Sequence, residues 1–150
     1  MAHPPAQLNE QVCFALYSAS RAVTGVYRPI LDELGLTYPQ YLVMLVLWEQ
    51  RSIVVKDLGA ALQLDTGTLS PLLKRMEGNG LIERRRRRDD ERSVEVTPTE
   101  RGWALQDRAS TVPHRLARAP AIPGDELVAL RDVLRRITDS ALDHTVGMEN

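Results

Sequence analysis

The sequence predicts a mainly α-helical fold with a small β-wing, and three observations carry that prediction. Apolar residues recur at steps of three and four along most of the 150 residues. Clear strand-like alternation falls in one short stretch, with Val94 and Val96 against Ser93, Glu95 and Thr97, just after a run of arginines. Glycine, proline and short polar residues stand where helices would start and stop. The order read from them is α-α-α-α-β-β-α-α.

Residues 1–6 are rich in proline and alanine and read as a tail. From Leu8 a long stripe follows: Leu8, Val12, Ala15, Ala19, Ala22, Val26, Ile30 and Leu34. It predicts one long helix with Gly25 and Pro29 as points of kinking or splitting, and Gly35 as its stop. Thr37 then caps a second helix, with Gln40 reaching back to the cap amide and Pro39 where no helical donor is required. Tyr41 to Trp48 is apolar nearly all round, which predicts a buried helix. Val55, Leu58 and Leu62 mark a short third helix, and Gln63-Leu64-Asp65 a turn.

Leu69, Leu72, Leu73 and Met76 mark the fourth helix, started by Asp65 or Thr68 and ended by Gly78 or Gly80. Pro71 is in conflict with that helix unless Thr68 is the cap, which would put the proline in the first turn. Two strands, Leu81–Arg85 and Ser93–Thr97, follow, with an arginine-rich tip between them. Thr97-Pro98-Thr99-Glu100 reads as a capping box with proline at the first helical position. It launches a helix carrying Leu105, Ala109, Val112 and Leu116, with Pro113 as a bend. Ala119 to Gly124 is a break, and Asp125 starts a last helix with Leu127, Leu130, Leu134, Ile137 and Ala141 on one face and Arg131, Arg135 and Arg136 in water.

The third and fourth helices with their turn form a helix-turn-helix, and the hairpin after them makes it winged. The first helix and the last two are too apolar to close on so small a head, so they read as an all-helical dimerisation layer. One domain over residues 1–150 is expected, with 1–35 and 98–150 as that layer and 36–97 as the winged head.

The charge pattern points to DNA. The formal net charge is only −1, yet from Lys74 to Arg92 eight Lys/Arg face five Asp/Glu. A local cationic surface of this kind binds phosphates. Thr66, Gly67, Thr68, Ser70, Pro71, Lys74 and Arg75 lie off the apolar stripe, short or cationic, and suit the major groove. Arg86, Arg87, Arg88 and Arg92 in the wing suit an adjacent minor groove, with support of its own strand as the alternative role for Arg84. Two heads on a two-fold axis would bind a near-palindromic operator.

Other classes find no support. One cysteine, Cys13, permits no intrachain disulfide, and with three scattered histidines it makes no metal-ligand cluster. No glycine-rich phosphate loop and no Gly-x-Ser-x-Gly elbow occur, so neither a cofactor nor an enzyme is expected. The start of the chain lacks the pattern of a signal peptide, and Tyr41–Trp48 is too short to span a bilayer, so a cytoplasmic protein without a membrane partner is expected. Trp48 and Trp103 read as packing residues, Tyr17 and Tyr41 as core or pocket walls, and His3, His114 and His144 as surface.

With Leu81-Ile82-Glu83-Arg84 and Asp90-Glu91-Arg92 in the wing, this topology resembles the MarR family of bacterial repressors. Val12-Cys13-Phe14-Ala15-Leu16-Tyr17, Tyr27-Arg28-Pro29, Leu36 to Glu49 and Leu64 to Arg75 are similar to its OhrR branch, the organic-hydroperoxide sensors. The resemblance implies that Cys13 is the peroxide-reactive thiol, held by hydroxyls at Tyr27 and Tyr38 that come from the second subunit of a homodimer. It implies that Arg92 reaches into the minor groove while Asp90 steadies it. Some members carry a second, resolving cysteine; this chain is of the one-cysteine type, so a low-molecular-weight thiol or over-oxidation would follow the first step. Phe14, Leu16 and Val12 would make the approach to sulfur greasy and favour organic hydroperoxides. Two other readings keep parts of this: a regulator released by reversible binding of a small aromatic ligand, and a thiol peroxidase.

Overall fold

The computed structural model describes residues 7–117 and 123–148. The chain forms two compact units, Met1–Leu116 and Ala117–Asn150. The expected tail at residues 1–6, His3 within it, and most of the expected break at 119–124 lie outside the described residues.

The first unit opens with a 3₁₀ turn, Leu8–Glu10, followed by α1 (Val12–Asp32) and α2 (Tyr38–Gln50). Next come β1 (Ile53–Val54), α3 (Val55–Leu62), α4 (Thr66–Gly78), β2 (Ile82–Arg86) and β3 (Val94–Pro98). It closes with α5 (Glu100–Ala109) and α6 (Val112–Leu116). The second unit is α7 (Gly124–Met148). The fold is therefore mainly helical with a small antiparallel sheet, as the periodicity predicts.

Several boundaries differ from expectation, each for a local reason. Leu8 is not part of α1, because Gln11 is extended (φ −81°, ψ 114°) and separates the turn from the helix. Gly25 and Pro29 do not split α1, which runs unbroken through both. It ends at Asp32, and the turn that closes it is made at Gly35 (φ 68°), where the Leu36 and Gly35 amides fold back to the Leu31 and Asp32 carbonyls, both at 3.1 Å. Thr37 and Gln40 form the predicted capping box on α2. The wing is not a two-stranded ribbon. β1 joins it, Ile53 opposite Val96 and Val54 opposite Glu95, giving the order β1-β3-β2. Pro98 is not a helical residue: it ends β3 opposite Ile82, so Thr99 caps α5 by accepting the Gly102 amide at 3.1 Å. The expected single helix to Leu116 is two, α5 and α6, with Pro113 in the first turn of α6, where no donor is needed.

Leu47, Leu58, Leu73, Met76 and Val96 are fully or almost fully buried and join α2, α3, α4 and the sheet in one core. Trp48 closes it from the side, its indole N–H donating to the Gly102 carbonyl at 3.0 Å. At Gly102 a Cβ would stand 2.2 Å from the Leu81 carbonyl oxygen and 3.2 Å from the Met44 methyl. Gly102→Ala should therefore lower stability by about 1–3 kcal/mol through overpacking. Thermal unfolding checks this, and an unchanged midpoint would mean that α5 shifts freely.

α1 leaves much of its apolar stripe uncovered. Only Ile30 and Leu31 of this helix are buried, while Val12, Phe14, Tyr17, Val23 and Val26 are exposed. In α7, Val128, Leu130, Val133, Ile137 and Leu142 are likewise exposed. Among the described residues no helix is long and apolar enough to cross a membrane.

Candidate nucleic-acid interface and thiol site

The turn between α3 and α4 is a tight one. Gln63 is left-handed (φ 55°), and the Leu64 amide returns to the Gly59 carbonyl at 2.9 Å. Asp65 then caps α4, accepting the Thr68 amide at 2.8 Å. The Thr68 hydroxyl and amide hold its carboxyl below the usual carboxylate range. Thr68 is thus not the cap, and Pro71 lies in the helix interior rather than in its first turn. Leu69, Leu72, Leu73 and Met76 are buried, as the stripe predicts. Thr66, Gly67, Thr68, Ser70, Pro71, Lys74 and Arg75 are all exposed.

The fold sorts the arginine run into distinct jobs. Arg84 gives its amide to one oxygen of Glu77 at 3.1 Å and its guanidinium to the other at 2.8 and 3.2 Å. This ties the end of α4 to β2 and keeps the Glu77 carboxyl ionised to lower pH than usual. Arg85 pairs with Glu83, and Arg87 with Asp89 in a two-pronged contact at 2.6 and 2.9 Å. Arg86 donates to the Glu91 carbonyl at 3.2 Å. Asp90 accepts the Arg92 amide at 3.0 Å and the Ser93 hydroxyl at 2.8 Å. It therefore fixes the main chain at Arg92 and leaves the guanidinium unspent. Among the described residues Lys56, Lys74, Arg75, Arg88 and Arg92 form no ion pair.

A groove of about 770 Å³ runs between α4 and the wing, lined by Lys56, Ser70, Leu73, Arg92, Ser93 and Val94 among others. Lys56 and Glu77 are the residues that sequence reasoning missed. Lys56 stands far from the arginine run in the chain. Glu77 reads as one more solvated helix charge until β2 brings Arg84 beside it.

Cys13 is the second residue of α1 and is exposed. At the other end of α1, the Tyr27 ring packs at a tilt against those of Tyr38 and Tyr41, with ring centroids 4.8 and 6.1 Å apart. Burial, and then the neighbouring phenols, push the Tyr27 hydroxyl above its ordinary pKa; burial, with Tyr38, does the same to Tyr41. Both stay protonated near neutral pH and remain donors. Fourteen residues of helix separate Cys13 from Tyr27, about 21 Å at 1.5 Å per residue. The structure therefore does not bring Cys13 to Tyr27 and Tyr38 within one chain. Beside Tyr38 lies a cavity of about 550 Å³ lined by Arg21, Thr24, Arg28, Leu31 and Thr37. Tyr41 is core, as expected, but Tyr17 is not: it is 59% exposed, with the Arg21 guanidinium 5.4 Å from its ring centre.

Residues 25–108 match the family described as transcriptional regulator SarA/Rot. The chain is 44% identical over 134 residues to the organic hydroperoxide resistance transcriptional regulator of Bacillus subtilis (strain 168), covering 89% of this chain and 91% of that one. It is similar to a structure of reduced AbfR bound to DNA, with a TM-score of 0.75 and 32% identity over 90% of this chain and 94% of that one. A crystal structure of AbfR of Staphylococcus epidermidis gives a TM-score of 0.70 and 32% identity, covering 91% and 92%.

Proposed function

The chain belongs to the MarR family of transcriptional regulators, in the branch of the organic hydroperoxide-resistance regulators, and from that membership we propose that it is a homodimeric repressor switched by Cys13. Reduced, it holds a near-palindromic operator. Oxidised by an organic hydroperoxide, it lets go.

One observation carries this reading. A free cysteine sits on an uncovered helix end, and of the phenol donors that would serve it Tyr27 lies about 21 Å away along the same helix, with Tyr38 of α2 beside it. A second copy, docked along the exposed stripe of α1, supplies what a single chain lacks. Residues 1–35 and 98–150 act as the dimerisation layer and 36–97 as the head. The Cys13 thiolate attacks the outer oxygen of R–O–O–H. The O–O bond breaks, sulfur is oxidised to sulfenic acid, and the alkoxide takes a proton to leave as the alcohol. A small thiol then condenses with the sulfenic acid, releasing water and leaving a mixed disulfide. The added bulk separates sulfur from the Tyr27 and Tyr38 hydroxyls of the facing subunit and shifts the two heads out of register with half-sites about 34 Å apart.

On DNA, α4 enters the major groove with Thr66, Gly67, Thr68, Ser70, Pro71, Lys74 and Arg75. The wing reaches the minor groove with Arg92, and Arg88 and Lys56 neutralise phosphates. Arg86 and Arg87 shape the tip, since their guanidinium groups already have partners. Fluorescence anisotropy with operator DNA, run beside mass spectrometry during a cumene hydroperoxide titration with cysteine present, tests the reading. Release should track the mass gain of the mixed disulfide; full oxidation without release would refute it. Arg92→Ala should weaken operator binding about tenfold, or about 1.4 kcal/mol, and reduce the salt slope by about one per wing. Sedimentation should show the dimer intact, and unaltered affinity would remove the wing contact.

A further inference from the structure

Pro71 is the sixth residue of α4, where any other residue would donate its amide to the carbonyl four residues back. That carbonyl belongs to Gly67. It has no i+4 donor, and the proline ring stands against it. Gly67, Pro71, Lys74 and Gly78 follow in steps of four, three and four, and all are exposed. They form the line opposite the buried Leu69, Leu72, Leu73 and Met76, the most outward line on the recognition helix. Nothing in the fold asks for glycine at 67. Its φ is not positive, and a Cβ there would meet only an Asp65 carboxylate oxygen at 3.9 Å. Glycine and proline, the two residue types least suited to a helix, thus stand one turn apart on the outward line of α4. Gly25 and Pro29 repeat the spacing in α1, so a glycine four residues back is also how a helix accommodates the ring; α4 differs in being the second helix of the helix-turn-helix.

We propose that α4 reads sequence with its main chain: the Gly67 carbonyl accepts a hydrogen bond from an exocyclic amino group on the major-groove floor, cytosine N4 or adenine N6. The bare Cα lets the helix approach closely enough, and Pro71 keeps the oxygen available. Guanine and thymine present acceptors at the same edge and are refused. This rests on the DNA-binding reading above.

The test starts from a duplex selected by the reduced wild-type protein from a random-sequence pool. Pro71→Ala restores the helical donor and recaptures the carbonyl. It should unfold at higher temperature, and the ratio of its affinity for the selected duplex to that for a scrambled one should fall about tenfold below the wild type's, about 1.4 kcal/mol. In the same duplex, one amino-bearing base replaced by an analogue lacking that group should weaken the wild type about tenfold and leave Pro71→Ala unaffected. Gly67→Ala, whose added methyl would meet only the Asp65 carboxylate oxygen at 3.9 Å, should likewise reduce the preference for the selected duplex. The inference falls if Pro71→Ala keeps the wild-type preference for the selected duplex, or if no analogue couples to it. If the wild type selects no sequence at all, the DNA-binding reading itself falls, and the inference with it.

Discussion

Cys13→Ser should hold its operator at cumene hydroperoxide concentrations that strip the wild type from it. The wild type should lose about hundredfold in affinity on oxidation, roughly 2.7 kcal/mol, while the serine variant loses nothing. The effect is large because the chain contains a single cysteine, so no other thiol stands in. It is also cleanly attributable. Cys13 is exposed at the second residue of α1, and serine nearly matches it in size, so the exchange disturbs no packing within the chain. In the reduced state the two proteins should bind alike. Anisotropy on both, before and after peroxide, decides the matter. A serine variant that still dissociates would move the switch to a reversible ligand, for which the cavity beside Tyr38 is the natural seat.

How far the chain is legible without coordinates depends on the range of the interaction. Thr37 and Gln40 announce α2 because the whole capping box spans four residues. Thr97-Pro98-Thr99-Glu100 offers two caps to a local eye. Thr99 wins because Pro98 pairs with Ile82 across the sheet, a contact invisible in the local sequence. β1 escapes notice for the same reason: two residues cannot show alternation, and their partners lie more than forty positions away at Glu95 and Val96. The exposed members of the candidate interface on α4 are legible from periodicity alone. The wing is legible only in part: Arg84 can be read as supporting its strand, but five identical arginines in a row carry no hint that Glu77 and Asp89 are the partners of Arg84 and Arg87 or that Arg88 is left without an ion pair. The thiol site is legible only as types. Cys13, Tyr27 and Tyr38 can be named from sequence, but a single folded chain keeps sulfur and phenols apart.

That separation sets the most demanding expectation. In a mixed dimer of a Cys13→Ser chain with a Tyr27→Phe/Tyr38→Phe chain, the sole remaining thiol belongs to the subunit that lacks the phenols. If the phenols act across the interface, this sulfur faces the intact tyrosines of the serine subunit and should react with cumene hydroperoxide at the wild-type rate per thiol. The Tyr27→Phe/Tyr38→Phe homodimer should be slower by about tenfold or more, since each charge-assisted hydrogen bond to the developing product is worth about 1.5–3 kcal/mol. If instead the phenols served their own chain, the mixed dimer would be as slow as that homodimer. About 21 Å of helix between Cys13 and Tyr27 leaves no intermediate outcome through bending alone, because α1 runs unbroken from Val12 to Asp32. Differently tagged subunits, purified as the mixed species and followed by thiol titration, give the rate directly. A slow mixed dimer would dismantle the two-subunit site while leaving the winged head, its cap at Asp65 and its guanidinium at Arg92 untouched.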